Sequence, residues 1–411
     1  MFKIFLKRWI FLLVIIIFDL IIALRVSIKF YFFFFWLLIS VVTISIVWLL
    51  VEHFMIRLYL GRKLPTKIEE DDFLGIEAVI ENRGVIPLIN FVLEDNLSCA
   101  IPEERERRIL LDYLGAKSST SIRYSCYCPQ RGKYKLGPFS IYIFDPFGLF
   151  FIKKKHYVYS EVYVLPQTFN IRKFPILVKG TAPWFGIETS RVSGDEHEFY
   201  GVREYKPGDP LKRIHWLSTA RKNKLIVKQF QRQVFFRATI LFNLSKDRNF
   251  GEGKKSVTEY TIKIAASVAK HLLEIGVSLE IIAHVGEIVR IPFNKGPEHL
   301  DDIFKFLAVA QAESKVKIDE IFQEFARYIP SDSSLVIIML DTDWEYLFTM
   351  LSLKEKNVSL IPLVLIASSF LYPFVPQQKL IKEAQIKLPK TFEFSPIFFS
   401  CGANLEEAFF R

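Results

Sequence analysis

GDEHEFYGVREYKPGDPLKRIHWLSTARKNKLIVKQ, residues 194–229, stands where one rhythm of the chain ends and another begins. Before it, short alternating runs read as strands; after it, strands and helices take turns. The stretch itself packs Arg203, Glu204, Asp209, Arg213, His215, Trp216 and Arg221 around one tight turn. Pro207-Gly208 supplies that turn, since proline presets φ at the first corner and glycine accepts positive φ at the second. Arginine forks beside carboxylates suit a locked polar network, expected here to join the domains on either side.

Working outward, residues 68–166 read as all-β. Ile76, Ala78 and Ile80 alternate with Glu77 and Glu81; Phe91–Leu93 follows a turn at Pro87; Ile122, Tyr124, Cys126 and Cys128 alternate again. Gln130 to Lys133 predicts a hairpin corner, Asp145-Pro146-Phe147-Gly148 a type I turn, and Glu103 to Arg108 a solvated loop or short helix. Strands punctuated this way predict an immunoglobulin-like sandwich over 66–166. A motif segment follows at 167–235, then an α/β domain at 236–411. Within the latter the pattern predicts strands at 238–242, 277–283, 335–340 and 358–366 and helices at 257–275, 297–310, 318–329 and 344–353. Such alternation argues a parallel sheet with helices on both faces and ligands at the strands' carboxyl ends.

Aromatic residues make up 15% of the 411, and they crowd the N-terminus. Two apolar runs there predict a transmembrane hairpin within residues 1–53, with helices near 5–24 and 30–51. Lys3, Lys7 and Arg8 before it and Arg57, Arg62, Lys63 and Lys67 after it outnumber Arg25 and Lys29 in its turn. The positive-inside rule then puts the soluble domains in the cytoplasm of a two-pass cell-membrane protein. Asp19 is expected near the outer interface or paired with Arg25. Four cysteines without CxxC or zinc spacing fit a reducing compartment, and Cys126 and Cys128 point the same way without bridging. A net charge of +10 beside a bilayer indicates affinity for its anionic leaflet. No nucleic-acid-binding motif or stacking platform accompanies that charge.

Oxygen-bearing residues stand past two predicted strands: Asn243, Ser245 and Asp247 after the first, Asp341 and Asp343 after a later one. Together they are candidate ligands for a hard cation such as Mg²⁺, although Asn243 replaces a carboxylate and Lys246 adds a positive charge. Asp195-Glu196-His197-Glu198 offers at most two converging donors if extended. His215 with Asp209 or Glu204 is a candidate general base for a hydrolase or transferase. Arg203, Arg213 and Arg221 alternatively suit an anionic ligand or lipid. No GxSxG, HExxH, P-loop or GxGxxG motif is present, and no cofactor is implied.

Arg203-Glu204-Tyr205, Pro207-Gly208-Asp209, Arg213-Ile214-His215-Trp216 and Ala220-Arg221 resemble the defining motif of the domain-of-unknown-function family 58. Arg131-Gly132-x-Tyr134, Gly137-Pro138, Asp145 to Phe150 and the N-terminal hairpin extend the resemblance over nearly the whole chain. The resemblance implies a C-terminal domain similar to the von Willebrand factor type A fold. That fold often carries an Asp-x-Ser-x-Ser metal-ion-dependent adhesion site; at its positions Asn243, Ser245 and Asp247, only Ser245 keeps the residue type. It also implies no catalytic activity. Its partners would be a MoxR-type AAA+ ATPase and other membrane proteins, in protein assembly or maturation.

Overall fold

The computed structural model divides the chain into two units, Met1–Gln167 and Thr168–Arg411. The structure describes residues 2–26, 29–172, 174–175, 190–209, 211–232, 237–316, 328–331, 333–343, 358–371 and 396–409, with 320, 321 and 324 between them.

The first unit opens with helices α1 (Phe2–Val26) and α2 (Lys29–Met55). At 27 residues α2 extends about 40 Å, more than the roughly 30 Å of a bilayer's hydrocarbon core. It is long and apolar enough to cross a membrane. Its burial pattern is inverted relative to that of a soluble protein: Phe33, Trp36 and Phe54 face out, whereas Ser45 and Glu52 are buried. Asp19 of α1 also turns inward, 7% exposed.

Ten strands follow: β1 (Leu58–Lys63), β2 (Lys67–Glu69), β3 (Asp72–Asn82), β4 (Leu88–Asn96), β5 (Glu106–Leu114), β6 (Ser118–Cys128), β7 (Gly132–Leu136), β8 (Phe139–Phe144), β9 (Phe151–His156) and β10 (Ser160–Leu165). They form sheets ordered β1-β3-β6, β5-β4-β8-β9 and β2-β10-β7. The first two share a core of Leu60, Ile80, Phe91, Leu93, Phe139 and Ile141. The first and third share another, with Leu74, Leu97, Leu136, Val162 and Val164. Two sequence expectations change here. Gln130 to Lys133 is a corner between sheets, not a hairpin, because β6 pairs with β3 while β7 pairs with β10. Glu103 to Arg108 runs from a 3-10 turn at Pro102–Glu104 into β5, whose exposed Arg107 and Arg108 hide its strand character. The expected turn does form, closed by Gly148 N donating to the Asp145 carbonyl at 3.0 Å.

An ion pair runs through the sandwich. Arg62 of β1 and Asp95 of β4 meet with both side chains wholly buried. Tyr124 of β6 donates its hydroxyl to Asp95, and Arg62 Nη1 donates to the Leu136 carbonyl at 3.2 Å. The guanidinium also stands 4.2 Å from the Phe139 ring centre. Five strands therefore converge on one pair of charges. Removing one partner strands the other in a dry core, whereas replacing both with apolar groups does not. Asp95→Ala is expected to cost about 3–5 kcal/mol of stability, and the Arg62→Met/Asp95→Leu double variant to recover most of it, as read from denaturant melts.

The second unit carries a hairpin, described below, and a six-stranded sheet in the order β15-β14-β13-β16-β17-β18. Its strands are β13 (Arg237–Asn243), β14 (Ser278–His284), β15 (Ile288–Asn294), β16 (Ser334–Leu340), β17 (Ser359–Leu365) and β18 (Ile397–Phe399). All pair in parallel except the outer β15. Every residue of β16 and β17 is buried, the signature of a parallel strand covered on both faces. Counted from β13, the order is 3-2-1-4-5-6, that of a doubly wound sheet. Helices α4 (Val257–Glu274) and α5 (Pro297–Val309) lie close to their sequence-predicted spans. The predicted helix at 344–353 and most of that at 318–329 lie outside the described residues.

Burial depresses three imidazoles, His156 in the first unit and His271 and His284 in the second, below the usual value of 6.5. A depressed group binds fewer protons folded than unfolded. Its contribution is therefore complete above 6.5 and lost as pH falls through the folded value. Melting temperature is expected to drop between about pH 7 and pH 5, with a shallower dependence in His156→Phe; a flat profile in the parent chain would contradict this assignment.

Candidate functional site

The motif builds a hairpin with a long excursion at its tip. Strand β11 (Ser190–Glu204) pairs antiparallel with β12 (Ile226–Arg232), placing Arg203 opposite Val227 and Glu204 opposite Ile226. Between them come the turn, a 3-10 turn at Leu211–Arg213 and helix α3 (Trp216–Lys222). At Lys206–Asp209 the chain reverses with Asp209 N donating to the Lys206 carbonyl at 3.0 Å. Gly208 there has φ +105°, the conformation that only glycine takes without strain.

Asp209 fixes this reversal. Arg203 donates through Nη1 and Nη2 to its two oxygens, each at 2.6 Å, and Lys206 N donates to Oδ2 at 2.9 Å. The Arg203 bonds, and after them that from Lys206, hold the Asp209 carboxyl below its ordinary range. The spacing Arg-x5-Asp thus makes one closed loop, with the motif's proline and glycine inside it.

His215 has a different job. It caps α3: Ser218 N approaches its Nδ1 at 3.3 Å and the Ser218 hydroxyl at 2.7 Å. Its own N–H donates to the Ile226 carbonyl at 2.8 Å, and Ile226 N donates to Thr219 Oγ1 at 3.0 Å, docking the helix on β12. Ile214, Ile226 and Val227 are buried beneath. Glu204 pairs with Lys224 at 3.1 Å. The two carboxylates considered as partners for His215 therefore form ion pairs with Arg203 and Lys224.

What the loop presents outward is apolar and cationic. Trp216 is 68% exposed, Leu217 62% and Leu211 67%, and Arg221 and Lys222 are exposed beside them. Residues 201–229 carry eight lysines and arginines against two acids, so the face is strongly positive. The sequence did not announce α3: it is one of the shortest helices here and is capped by histidine instead of a serine or aspartate. For Asp195-Glu196-His197-Glu198 the described facts are confined to the β11 backbone.

At the sheet's carboxyl edge the candidate cation ligands have other bonds. Asn243 donates through Nδ2 to the Val316 carbonyl at 2.8 Å. Ser245 bridges to Ser314, Asp247 is exposed, and Asp341 accepts from Ala367 N at 2.9 Å. Asp343 accepts from Leu340 N at 3.2 Å and forms an ion pair with Arg248. Burial raises the Asp343 carboxyl and the guanidinium opposes the rise. A fixed positive charge thus sits on the best-buried carboxylate, so the donor set does not fit a resident divalent ion. Magnesium or a chelator is expected to leave the melting temperature unchanged, and Arg248→Ala to lower stability by about 1–3 kcal/mol.

Residues 201–363 match the family described as Protein of unknown function DUF58. The uncharacterized protein YeaD of Bacillus subtilis (strain 168) is 24% identical over 271 residues, 63% of this chain and 64% of that protein. The match thus spans less than two thirds of that relative's length. Among solved structures, the CARDB domain of a Pyrococcus furiosus protein, in complex with di-metal ions, is similar at 15% identity. That likeness covers 27% of this chain and 94% of the domain, with a TM-score of 0.21. The putative ApaA protein of Bordetella pertussis is 14% identical over 27% of this chain and 95% of its own, with a TM-score of 0.20. Residues 201–363, which hold the motif, are thus similar to the DUF58 family.

Proposed function

We propose that this is a non-enzymatic, membrane-anchored interaction protein whose motif face docks a MoxR-type AAA+ ATPase. The observation that carries the reading is the outward set of Trp216, Leu217 and Leu211 among cations, held by an internally satisfied loop. Exposed tryptophan and arginine are the residue types that dominate binding energy at protein interfaces. The excess of positive charge selects a partner with an acidic surface and speeds its encounter. Catalysis by His215 is less well supported, because its Nδ1 is taken up in capping α3.

The remaining architecture serves the anchor and the scaffold. We read α1 and α2 as a two-pass hairpin: Asp19, Ala23, Ser45 and Leu49 are buried while large apolar side chains face out, as expected of helices in lipid. The β strands of the first unit make an immunoglobulin-like sandwich. The 3-2-1-4-5-6 order with an antiparallel outer strand supports a von Willebrand factor type A-like domain in the second unit. The soluble parts then lie in the cytoplasm.

The same exposed Trp216 and cations favour a second reading, a sensor of anionic lipid headgroups. Capture of tagged full-length protein from detergent-solubilised native membranes, with ATP and with ADP, separates the two. Nucleotide-sensitive recovery of an AAA+ ATPase is expected, lost in Trp216→Ala/Arg221→Ala without a change in melting temperature. Equal recovery by that variant, or no ATPase in either state, overturns the adaptor reading. Salt-sensitive binding to phosphatidylserine vesicles would then favour the lipid reading.

A further inference from the structure

Three of the chain's four cysteines meet inside the sandwich. Cys126 and Cys128 end β6 two residues apart, so their side chains leave the same face of the sheet. Cys99 arrives from the turn after β4. That turn is held by Ala100 N donating to the Leu97 carbonyl at 3.1 Å and by the Ser98 hydroxyl donating to the Lys135 carbonyl at 3.0 Å. All three thiols are free and at most 2% exposed. Their sulfurs lie within 4.8 Å of one another, Cys99 and Cys126 at 3.8 Å.

A buried cysteine by itself behaves as a small hydrophobe. This cluster goes beyond that, because the sulfurs converge on one point. With metal–thiolate bonds of about 2.3 Å, three sulfurs in a trigonal plane stand about 4.0 Å apart, which is the spacing nearly reached here.

We propose that Cys99, Cys126 and Cys128 form a three-coordinate site for a single copper(I) ion. The donors decide the metal. Thiolates select soft ions over magnesium or calcium. The group of mutually close donors comprises these three alone among the described residues, whereas a structural zinc site is almost always four-coordinate. The surrounding Leu74, Leu97, Leu136, Val162 and Val164 keep water away from the ion. Each thiol that ligates as thiolate releases its proton to solvent, three sulfur–copper bonds form, and no electron is transferred. Copper binding ties the turn after β4 to the end of β6 and thereby stabilises the sandwich.

The test uses reduced full-length protein in detergent without oxygen, titrated with copper(I) against a chromophoric copper(I) chelator. One copper per chain is expected, with X-ray absorption showing three sulfurs at about 2.3 Å, together with a higher melting temperature. Cys126→Ser and Cys99→Ser should each weaken binding by more than roughly 100-fold, since losing a ligand exceeds the loss of an outer contact. Cys401→Ser should bind as the parent does. Near-ultraviolet circular dichroism checks that the variants are folded, and Cys128→Ser replaces any that is not. Absence of stoichiometric binding, two-sulfur coordination, or retained affinity in two of the three serine variants overturns the site. So does a Cys99–Cys126 disulfide whose reduction restores no copper uptake.

Discussion

A carboxylate withdrawn from water must have its charge and its lone pairs met, and the chain uses that requirement at each place where its course has to be fixed. Asp95 takes the Arg62 guanidinium and the Tyr124 hydroxyl and so joins strands of facing sheets. Asp145 accepts from Phe147 N at 3.0 Å and Phe150 N at 2.6 Å, shaping the turn before β9. Asp209 closes the motif loop, and Asp343 takes Arg248 and the Leu340 amide at the carboxyl end of β16. In three of the four the counter-charge is an arginine, whose planar fork loses less freedom per bond than a lysine would. The motif of residues 203–216 is therefore first a device of architecture. Arg203 and Asp209 satisfy one another within it, while its Trp216 is left exposed.

How far the sequence disclosed this depends on whether the signal was local. Helix α4 was legible because its apolar face keeps helical spacing and Gly276 follows its end. The central strands were legible because each carries a run of apolar residues, such as Ile240–Phe242 in β13 and Leu335–Leu340 in β16. Strand β15 was not among the expected strands, since as the outer strand its residues Ile288–Asn294 alternate between exposed and half-buried. Short β18 owes its existence to pairing with β17. Of the site, the Pro207-Gly208 turn and the arginine–carboxylate locking were readable, but the choice of partners was not. Sequence allowed Asp209 to serve His215 or an arginine, and only the register of β11 on β12 with the loop between them selects Arg203. The cysteine cluster was invisible for the same reason. Cys99 lies 27 residues before Cys126, and pairing of β3 with β6 beside the turn after β4 brings them together.

Gly137 shows the opposite case, a single residue whose identity is dictated by its neighbours. It has φ +107°, and a Cβ added there would stand 2.3 Å from the Val158 carbonyl oxygen. Its N–H donates to the Asn96 carbonyl at 2.7 Å, next to Asp95 in the chain. The Gly137-Pro138 pair of the upstream motif thus lets two segments pass within touching distance close to the buried ion pair. Motif residues of the first unit and of the second serve the same end, which is to bring backbone and charge together where strands alone would leave gaps.

The two candidate metal positions are best understood together, because they answer the same question with opposite chemistry. At the edge of the α/β sheet the donors are hard oxygens, and the charge a divalent ion would bring is already supplied by Arg248. An added cation there would have to displace a guanidinium and desolvate beside it, so the pair forms a covalently tethered substitute that needs no ion from solution. Inside the sandwich the donors are soft, converge within 4.8 Å of one another, and sit among aliphatic side chains. Removing a thiol from water costs far less than removing a carboxylate, so such a cluster can persist empty, which an unpaired carboxylate cluster cannot. The oxygen edge is thus built to be independent of metal supply, whereas the sulfur core is stable either way and has something to gain from a thiophilic ion.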